Sequence, residues 1–255
     1  MRVLLTNDDG LHSPGLLALA RALRRRAETF AVAPEHERSA ASHAITLHKP
    51  LRAVRVKLGD TGLPAWATNG TPADCVVLGV LDLLGAPPDV VVSGINAGPN
   101  LGMDLIYSGT VSGAVEATLF GISAIAISVA SFTGIHWEAA AAFAAHLAGE
   151  VHKHGIPPDT FLNVNVPNLP AAKIRGVEIT RQSSRRYVSR LDKRADPRGR
   201  DYYWLTGSPT GDQDPGTDAR AVAEGRISVT PLRLDMTHEE LTPTIRSWNL
   251  KVPRR

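Results

Sequence analysis

Two adjacent carboxylates, Asp8 and Asp9, directly follow a short apolar run at residues 2–6. Neighbouring side chains on a strand point to opposite faces, but in a tight turn both can converge on one point. Converging carboxylates repel each other unless a cation neutralises them, and ligands of this kind suit Mg²⁺ or Mn²⁺ rather than zinc. The turn therefore indicates a metal site, and the alternative is a solvated turn that caps the next helix.

Two later loops offer further oxygen ligands. The hydroxyl of Ser39 is a weak metal ligand or a phosphate contact, and the alternative is an ordinary helix cap. Residues 93–104 read SGINAGPNLGMD, and their glycines let the backbone approach a ligand. In this loop Asn96 offers a neutral carbonyl oxygen to a metal, while Asn100 and Asp104 are polar groups that a plain turn does not need.

Ser108, Gly109 and Thr110 stand directly before a predicted helix. The free N–H groups and the dipole at a helix N-terminus favour an anion, and the hydroxyls on both sides of the glycine add donors. A phosphate fits this position, although a plain Ser/Thr cap is the alternative. Together the four loops combine a site for a hard metal ion with a site for an anion, which is the equipment for hydrolysis of a phosphoryl group.

The elements that must position these loops alternate between strand and helix. Ser13 and Pro14 are typical of a helix start, and Thr71–Asp74 is typical of a second one. The apolar spacing predicts the following inward-facing residues: Leu16, Leu19, Ala20 and Leu23 in the first helix, and Val77, Val80, Leu81 and Leu84 in the second. Buried strands are predicted at 2–6, 30–33, 89–93, 123–129 and 161–166, and a helix at 137–151.

This alternation favours an α/β fold, a Rossmann-like three-layer core with a mostly parallel sheet. In such a sheet, sites form at the carboxyl ends of the strands, where all four polar loops fall. Residues 45–57 alternate more weakly and are consistent with an antiparallel hairpin or an excursion.

The composition and periodicity of the sequence change after about residue 170. We expect residues 1–170 to form the catalytic core and residues 171–255 a C-terminal extension, the two making one integrated domain. Residues 182–217 show little periodicity, and residues 185–201 hold seven basic and three acidic residues. This segment is interpreted as an arm that reaches a neighbouring subunit or covers the active site, and as a charged connector rather than an attractor of anionic substrate.

The end of the chain carries three more predictions. Tyr202, Tyr203 and Trp204 are expected to pack as part of a strand. A short helix at 217–224 and a strand at 226–231 follow, and Thr237–Glu240 is interpreted as the capping box of a last helix.

Composition excludes several classes of protein. A formal charge of +3, from 28 basic and 25 acidic residues, gives no reason to expect a stable nucleic-acid partner. Cys75 is the single cysteine, so an internal disulfide is excluded. The sequence has no run of 18 apolar residues, so no membrane span is predicted. The carboxylates near its start do not fit a secretory signal, and the expected location is therefore the cytoplasm.

Taken in order, several motifs make the chain resemble the stationary-phase survival protein SurE family. They are TNDDG (6–10), RSAAS (38–42), NGTPADCV (69–76), SGINAGPNLGMD (93–104), YSGTVSGAVEA (107–117), NVNVP (163–167), DPRGRDYYWLTG (196–207) and GTDARAVAEGRISVTPL (216–232). Two departures are visible. Ala40 stands where the family usually has glycine, and TRQSSRRY at 180–187 lacks the family's usual glycine.

The resemblance implies a metal-dependent phosphatase, a 5′-nucleotidase that also acts on 3′-monophosphates. It implies one divalent metal ion per subunit, Mg²⁺ or Mn²⁺, with Asp8, Asp9, Ser39 and Asn96 as ligands. It also implies a Rossmann-like core whose C-terminal extension, with a β-hairpin and a helix, is exchanged between subunits to give a homodimer or homotetramer.

The hypothesis for the site assigns catalysis to Asp8, Asp9, Asn96 and Asp104, the last as a candidate for proton transfer or positioning. Phosphate binding is assigned to Asn100 and to the helix start at Ser108, Gly109 and Thr110.

Three other classes of protein were weighed against this hypothesis. A Rossmann cofactor enzyme would need Gly-x-Gly-x-x-Gly in the first loop, which is absent. A haloacid-type phosphatase would need Asp-x-Asp, whereas the two aspartates here are adjacent. A nucleotide sensor or scaffold that binds without turnover stays open.

Overall fold

The computed structural model describes residues 1–211 and 214–252. Its strands are β1 (Arg2–Thr6), β2 (Glu28–Pro34), β3 (Ala53–Lys57), β4 (Pro64–Thr68), β5 (Val90–Ala97), β6 (Ser123–Val129), β7 (Thr160–Val166), β8 (Val177–Ile179), β9 (Arg186–Ala195), β10 (Asp201–Thr210) and β11 (Ile227–Arg233). Its α-helices are α1 (Pro14–Leu23), α2 (Pro72–Leu78), α3 (Gly109–Leu119), α4 (Trp137–His154), α5 (Asp218–Ala223) and α6 (Thr242–Ser247).

One sheet of nine strands runs through the described part of the chain in the order β3-β4-β2-β1-β5-β6-β7-β11-β8. β1 pairs in parallel with β2 on one side and with β5 on the other. β3 and β11 instead pair antiparallel to β4 and β7. The mostly parallel sheet confirms the predicted class. Since the chain leaves β1 in opposite directions towards β2 and β5, a crevice opens at their carboxyl ends.

Helices cover both faces of this sheet, as predicted. Along β1, Val3 and Leu5 face a cluster with residues of α1 and α4, whereas Leu4 faces a cluster with residues of α2 and α3. Successive side chains of a strand point to opposite faces of the sheet, and helices cover both faces, so neighbouring residues of β1 join different clusters.

Both predicted helix starts are confirmed. The hydroxyl of Ser13 accepts from Leu16 N at 3.3 Å and caps α1. Thr71 and Asp74 form a reciprocal capping box at the start of α2. The two loops before these helices are therefore fixed where they leave the sheet.

One core prediction was wrong. Leu81 was expected on the apolar face of the second helix, but 69% of its surface is exposed. The α-helix ends at Leu78, and Gly79–Leu83 continues as a π-helical turn, with Leu84 N bonding Gly79 O at 3.2 Å. A residue added to the turn rotates the following side chains, which breaks the spacing on which the prediction rested.

The C-terminal segment adds to the core sheet rather than standing apart. β11 pairs with β7, and β8 pairs with β11, so the sheet continues past residue 170. β9 and β10 form a separate antiparallel hairpin that contains Tyr202, Tyr203 and Trp204, as predicted. This hairpin occupies most of residues 182–217, the segment whose sequence shows little periodicity, and residues 212 and 213 lie outside the described residues.

Two further expectations differ from the structure. Residues 45–57 do not form a hairpin by themselves, because β3 pairs antiparallel with β4 at Pro64–Thr68. The predicted capping box at Thr237–Glu240 is absent, since His238 Nδ1 accepts from Leu241 N at 3.1 Å and caps a 3₁₀ turn before α6. Thr237 N instead bonds Asp235. Along the described chain, no helix combines the length and the apolar character needed to cross a membrane.

Candidate active site

The turn after β1 holds its two carboxylates by hydrogen bonds to different elements. Asp8 is 4% exposed, and Thr110 Oγ1, in the first turn of α3, donates to its Oδ1 at 2.5 Å. Asp9 is partly buried, and Ala97 N, at the end of β5, donates to its Oδ2 at 3.0 Å. The turn is therefore packed between β5 and α3 instead of being open to solvent.

The two carboxyl groups of this turn have raised pKa values, and burial is the main cause. Burial raises the pKa of Asp8 above its ordinary value, against the hydrogen bond from Thr110, and the charge of Glu37 adds to the rise. Burial also raises the pKa of Asp9 to about 6, against the N–H of Ala97 and with added repulsion from Asp8 and Glu37. A divalent cation here would stabilise both carboxylates in their charged form.

The loop after β2 brings Ser39 to the same cleft as Asp9. Arg38 N donates to the backbone oxygen of Asp8 at 2.7 Å, which ties this loop to the first one. Ser39 Oγ donates to Glu37 Oε1 at 2.6 Å. Ala40 has a φ of 55°, in the left-handed region that favours glycine, so it keeps a conformation that costs a non-glycine residue about 1–2 kcal/mol.

Asn96 lies at the end of β5, one residue before Ala97, whose N–H bonds Asp9. Its Nδ2 donates to Gly98 O at 2.8 Å, which leaves the side-chain oxygen as the atom available to a metal ion. Asp8, Asp9, Ser39 and Asn96 together supply only oxygen donors, the chemistry that Mg²⁺ and Mn²⁺ prefer. Among the described residues no three His, Cys, Asp or Glu side chains group to hold a metal, so an ion here would depend on the neutral oxygens as well.

The start of α3 lies directly against this turn. A Cβ added at Gly109 would lie 2.7 Å from Asp8 Cβ, so only glycine lets the helix come this close. Ser108 Oγ accepts from Val111 N at 3.1 Å, which is the helix-cap role weighed for it above. The positive end of the helix dipole therefore meets the buried carboxylate, with Thr110 making the contact.

Asn100 is placed differently from the other site predictions. Its side chain is buried, and Nδ2 donates to Ser128 Oγ at 2.7 Å. Its backbone oxygen accepts from Asn163 Nδ2 and Asn165 Nδ2, both at 2.9 Å. These contacts anchor the 93–104 loop to β6 and β7, and the side-chain amide nitrogen is engaged by Ser128.

The same loop is also tied to the C-terminal segment. Asp104 forms an ion pair with Arg185 Nη1 at 3.4 Å. The fully buried carboxylate of Asp218 accepts from Gly102 N at 2.9 Å and from Ser183 N at 3.1 Å. Asp104 thus faces the base of the β9–β10 hairpin, which favours positioning over proton transfer.

Sequence reasoning missed two contributors to the cleft. A cleft of about 390 Å³ at this edge of the sheet is lined by Asp9, Ser13, Pro14, Glu37, Ser39, Ala97, Phe132 and Trp137. Glu37 directly precedes the RSAAS motif and was assigned no role from the sequence. Phe132 follows the carboxyl end of β6, so the rule that sites gather at strand ends was the signal that could have found it.

Fold and site define a Rossmann-like α/β protein with paired carboxylates, neutral oxygens and a helix N-terminus at one switch point of the sheet. The model of the family "Survival protein SurE" matches residues 3–189, and this chain belongs to that family.

Relatives agree with that membership over the full length. The chain is 53% identical to "5′-nucleotidase SurE" of Geobacter sulfurreducens, over 100% of this chain and 96% of the relative. It is 49% identical to "5′-nucleotidase SurE" of Heliobacterium modesticaldum, over 97% and 92%. The solved SurE protein from Aquifex aeolicus superimposes with a TM-score of 0.85 at 42% identity, covering 98% of this chain and all of that one.

Proposed function

We propose that this chain is a metal-dependent phosphatase that hydrolyses nucleoside 5′-monophosphates, and 3′-monophosphates as well, to nucleoside and phosphate. Two relatives that match nearly the whole chain at 49–53% identity carry the name 5′-nucleotidase, which supports the class of reaction. The observation that carries the proposal is the contact between buried Asp8 and Thr110, because it joins the carboxylate pair to a helix N-terminus.

In this proposal Asp8, Asp9, Ser39 and Asn96 hold one Mg²⁺ or Mn²⁺ per subunit. Such an ion, when bound, polarises a phosphoryl oxygen and lowers the pKa of bound water. Burial supports this assignment, since two carboxyl groups with raised pKa values in one turn are stabilised by a cation.

The chain's own groups orient the substrate. The first N–H groups of α3 and the hydroxyl of Ser108 are proposed to donate hydrogen bonds to the phosphate oxygens, and Gly109 allows their close approach to the carboxylates. Asp9, which lines the cleft, is proposed to take a proton from the attacking water.

Asn100 and Asp104 are proposed to act through the loop that they anchor. Asn100 is bonded inward to Ser128, and Asp104 is paired with Arg185, so each would hold the 93–104 loop in place for catalysis.

A phosphate-release assay tests the proposal. Purified protein should release phosphate from AMP with Mn²⁺ or Mg²⁺ and lose the activity in EDTA. Nucleotide binding without phosphate release, with either ion supplied, would support the sensor or scaffold alternative and refute the enzyme.

Location in the cytoplasm, and assembly into a homodimer or homotetramer through the C-terminal arm, stay predictions. So does the division at residue 170. The exposed apolar residues of the β9–β10 hairpin, including Trp204 and Leu205, support the assembly.

A further inference from the structure

Phe132 is an exposed aromatic ring at the mouth of the candidate active site. It lies in the loop between β6 and α4, and 69% of its surface is exposed. The ring lines the same cleft as Asp9 and Ser39, two of the residues assigned to the metal. Since the ring is not buried in the core, packing of the core does not explain why an aromatic side chain lies beside the candidate metal ligands.

The site loop is shaped to receive this ring. A Cβ added at Gly98, which has a φ of +118°, would lie 2.3 Å from Phe132 Cε1. Gly98 N also bonds Val129 O at 3.0 Å, which fixes the loop to the end of β6. The absence of a side chain at Gly98 therefore lets one edge of the ring pack on the loop while the rest stays open.

The segment that carries the ring is itself ordered by local hydrogen bonds. Ser131 Oγ donates to Thr133 O at 2.7 Å and accepts from Thr133 N at 3.3 Å, so it closes a turn around Phe132. Trp137, at the start of α4, lines the same cleft and contacts the position of a Cβ at Gly15. The ring is thus presented by a closed turn next to a second aromatic side chain.

The chemistry of the cleft matches the two ends of a nucleotide. The cleft is lined by oxygen-bearing side chains, among them Asp9 and Ser39, and by the aromatic rings of Phe132 and Trp137. A volume of about 390 Å³ falls within the range of roughly 300–1,000 Å³ that is usual for small-molecule sites. Aromatic side chains bind bases by stacking, since every base has a π-face.

We propose that Phe132 is the surface on which the base of a nucleoside monophosphate stacks while its phosphate lies at Asp9 and Ser39, the candidate metal ligands that line the same cleft. This inference rests on the proposed function and adds to it the residue that recognises the nucleoside. Stacking tolerates any base, so Phe132 favours nucleotides over other phosphate esters without choosing among the bases.

Steady-state kinetics test the role directly. Phe132→Ala should raise KM for AMP about tenfold with kcat within twofold, because the ring contributes equally to binding of substrate and transition state. KM for ribose 5-phosphate, which has no base, should stay within twofold. Leu81→Ala is the matched control, since Leu81 is equally exposed at 69% but lies on the π-helical turn that follows α2.

Two conservative variants separate stacking from simple apolar cover. Phe132→Trp should keep KM for AMP at or below the wild-type value. Phe132→Leu should raise KM for AMP almost as much as Phe132→Ala does. Equal KM values for the wild type, Phe132→Ala and Phe132→Leu would overturn the proposal, as would a parallel rise in KM for ribose 5-phosphate.

A binding measurement keeps the test independent of turnover. Saturation-transfer NMR with adenosine should show transfer to the base protons H2 and H8 in the wild type, reduced severalfold in Phe132→Ala. Lack of transfer, or equal transfer in both proteins, contradicts the inference. If AMP is not hydrolysed but adenosine shows the expected difference, the proposed enzyme fails while the base site stands.

Discussion

Polar side chains at the carboxyl ends of β1 and β5 are buried and hydrogen-bonded, whereas apolar side chains of the β9–β10 hairpin are exposed. Asp8 is 4% exposed, while Trp204 and Leu205 are 58% and 73% exposed. Burial of a charge is costly unless it is compensated, and so is exposure of contiguous apolar surface. Both regions therefore carry a free-energy cost in the isolated chain, and each cost is consistent with the partner proposed for that region, a cation for the turn and a second copy of the chain for the hairpin.

The two partners differ in kind. For the carboxylate turn the proposed partner is a divalent cation, which would neutralise its two buried carboxyl groups. The hairpin is complete in its backbone pairing and needs apolar surface, which a second copy of the chain can supply. Substitutions in one region should accordingly leave the other region's property intact.

The largest expected effect comes from removing one charge of the pair. Asp8→Asn keeps an oxygen that can accept from Thr110 Oγ1 but removes a ligand charge, so kcat for AMP should fall by about 10³-fold or more. Phosphate release at saturating Mn²⁺ measures this loss. Trp204→Ser, in the hairpin, is the control and should stay within about twofold of the wild type. Near-normal activity of Asp8→Asn would refute the assignment of Asp8.

A smaller loss should follow from separating α3 from the turn. In Gly109→Ala the new Cβ would meet Asp8 Cβ at 2.7 Å and displace the carboxylate, so kcat/KM should fall by about 10- to 100-fold. Gly149→Ala in α4 is the matched control, because nothing lies within 4 Å of a Cβ added there. If both variants kept full activity, the close approach of α3 would have no functional role.

The pH dependence of metal binding should report the pKa of Asp9. Since that pKa is raised to about 6, only about a tenth of the carboxyl is ionised at pH 5, and Mn²⁺ should bind about tenfold more weakly there than at pH 7.5. Calorimetric titrations at the two pH values make the comparison. An affinity independent of pH would mean that protons and metal do not compete at Asp9.

The same pKa sets the sign of a change in the stability of the metal-free protein. The pKa of Asp9 is raised from its ordinary value of 3.8 in the folded chain, so the folded state binds more protons between pH 4 and 6. The contribution of Asp9 to stability is present below pH 4 and is lost as pH rises through 6. Asp9→Asn should flatten that part of the unfolding profile, as measured by denaturant titration in EDTA.

The smallest effect on catalysis and the clearest effect on assembly should come from the hairpin. Trp204→Ser removes an exposed aromatic residue without touching the sheet, so the melting temperature of the core should change little. Sedimentation analysis should show a shift towards smaller species. Unchanged assembly in this variant and in Leu205→Ser would remove the hairpin's apolar face from the interface.

Much of the fold could be predicted because β1 and the later core strands are apolar runs that end in polar turns. Ser13 and Thr71 marked helix starts for a local reason, since their side chains bond within the next turn. The prediction that Leu81 is buried was wrong because the π-helical turn after Leu78 changes the helical period. The spacing of apolar residues in the sequence does not reveal such a turn. The predicted cap of the last helix is absent because Leu241 N donates its hydrogen bond to the ring of His238 instead.

The site, like the fold, has a part that the sequence could predict and a part that it could not. The edge that gathers Asp8, Asp9, Ser39 and Asn96 follows from strand order, so the sequence was sufficient to place them near one another. The inward turn of Asn100 depends on asparagines of β7 that are distant in sequence, and no local pattern carries that information.

Calorimetric titration of the metal-free protein with Mn²⁺ at pH 7.5 tests the central claim most directly. The account predicts one ion bound per subunit in the wild type and in Trp204→Ser, with affinity reduced at least about tenfold in Asp8→Asn and in Asp9→Asn. Absence of binding in the wild type, or wild-type affinity in both aspartate variants, would contradict the claim that the turn after β1 is built around a cation.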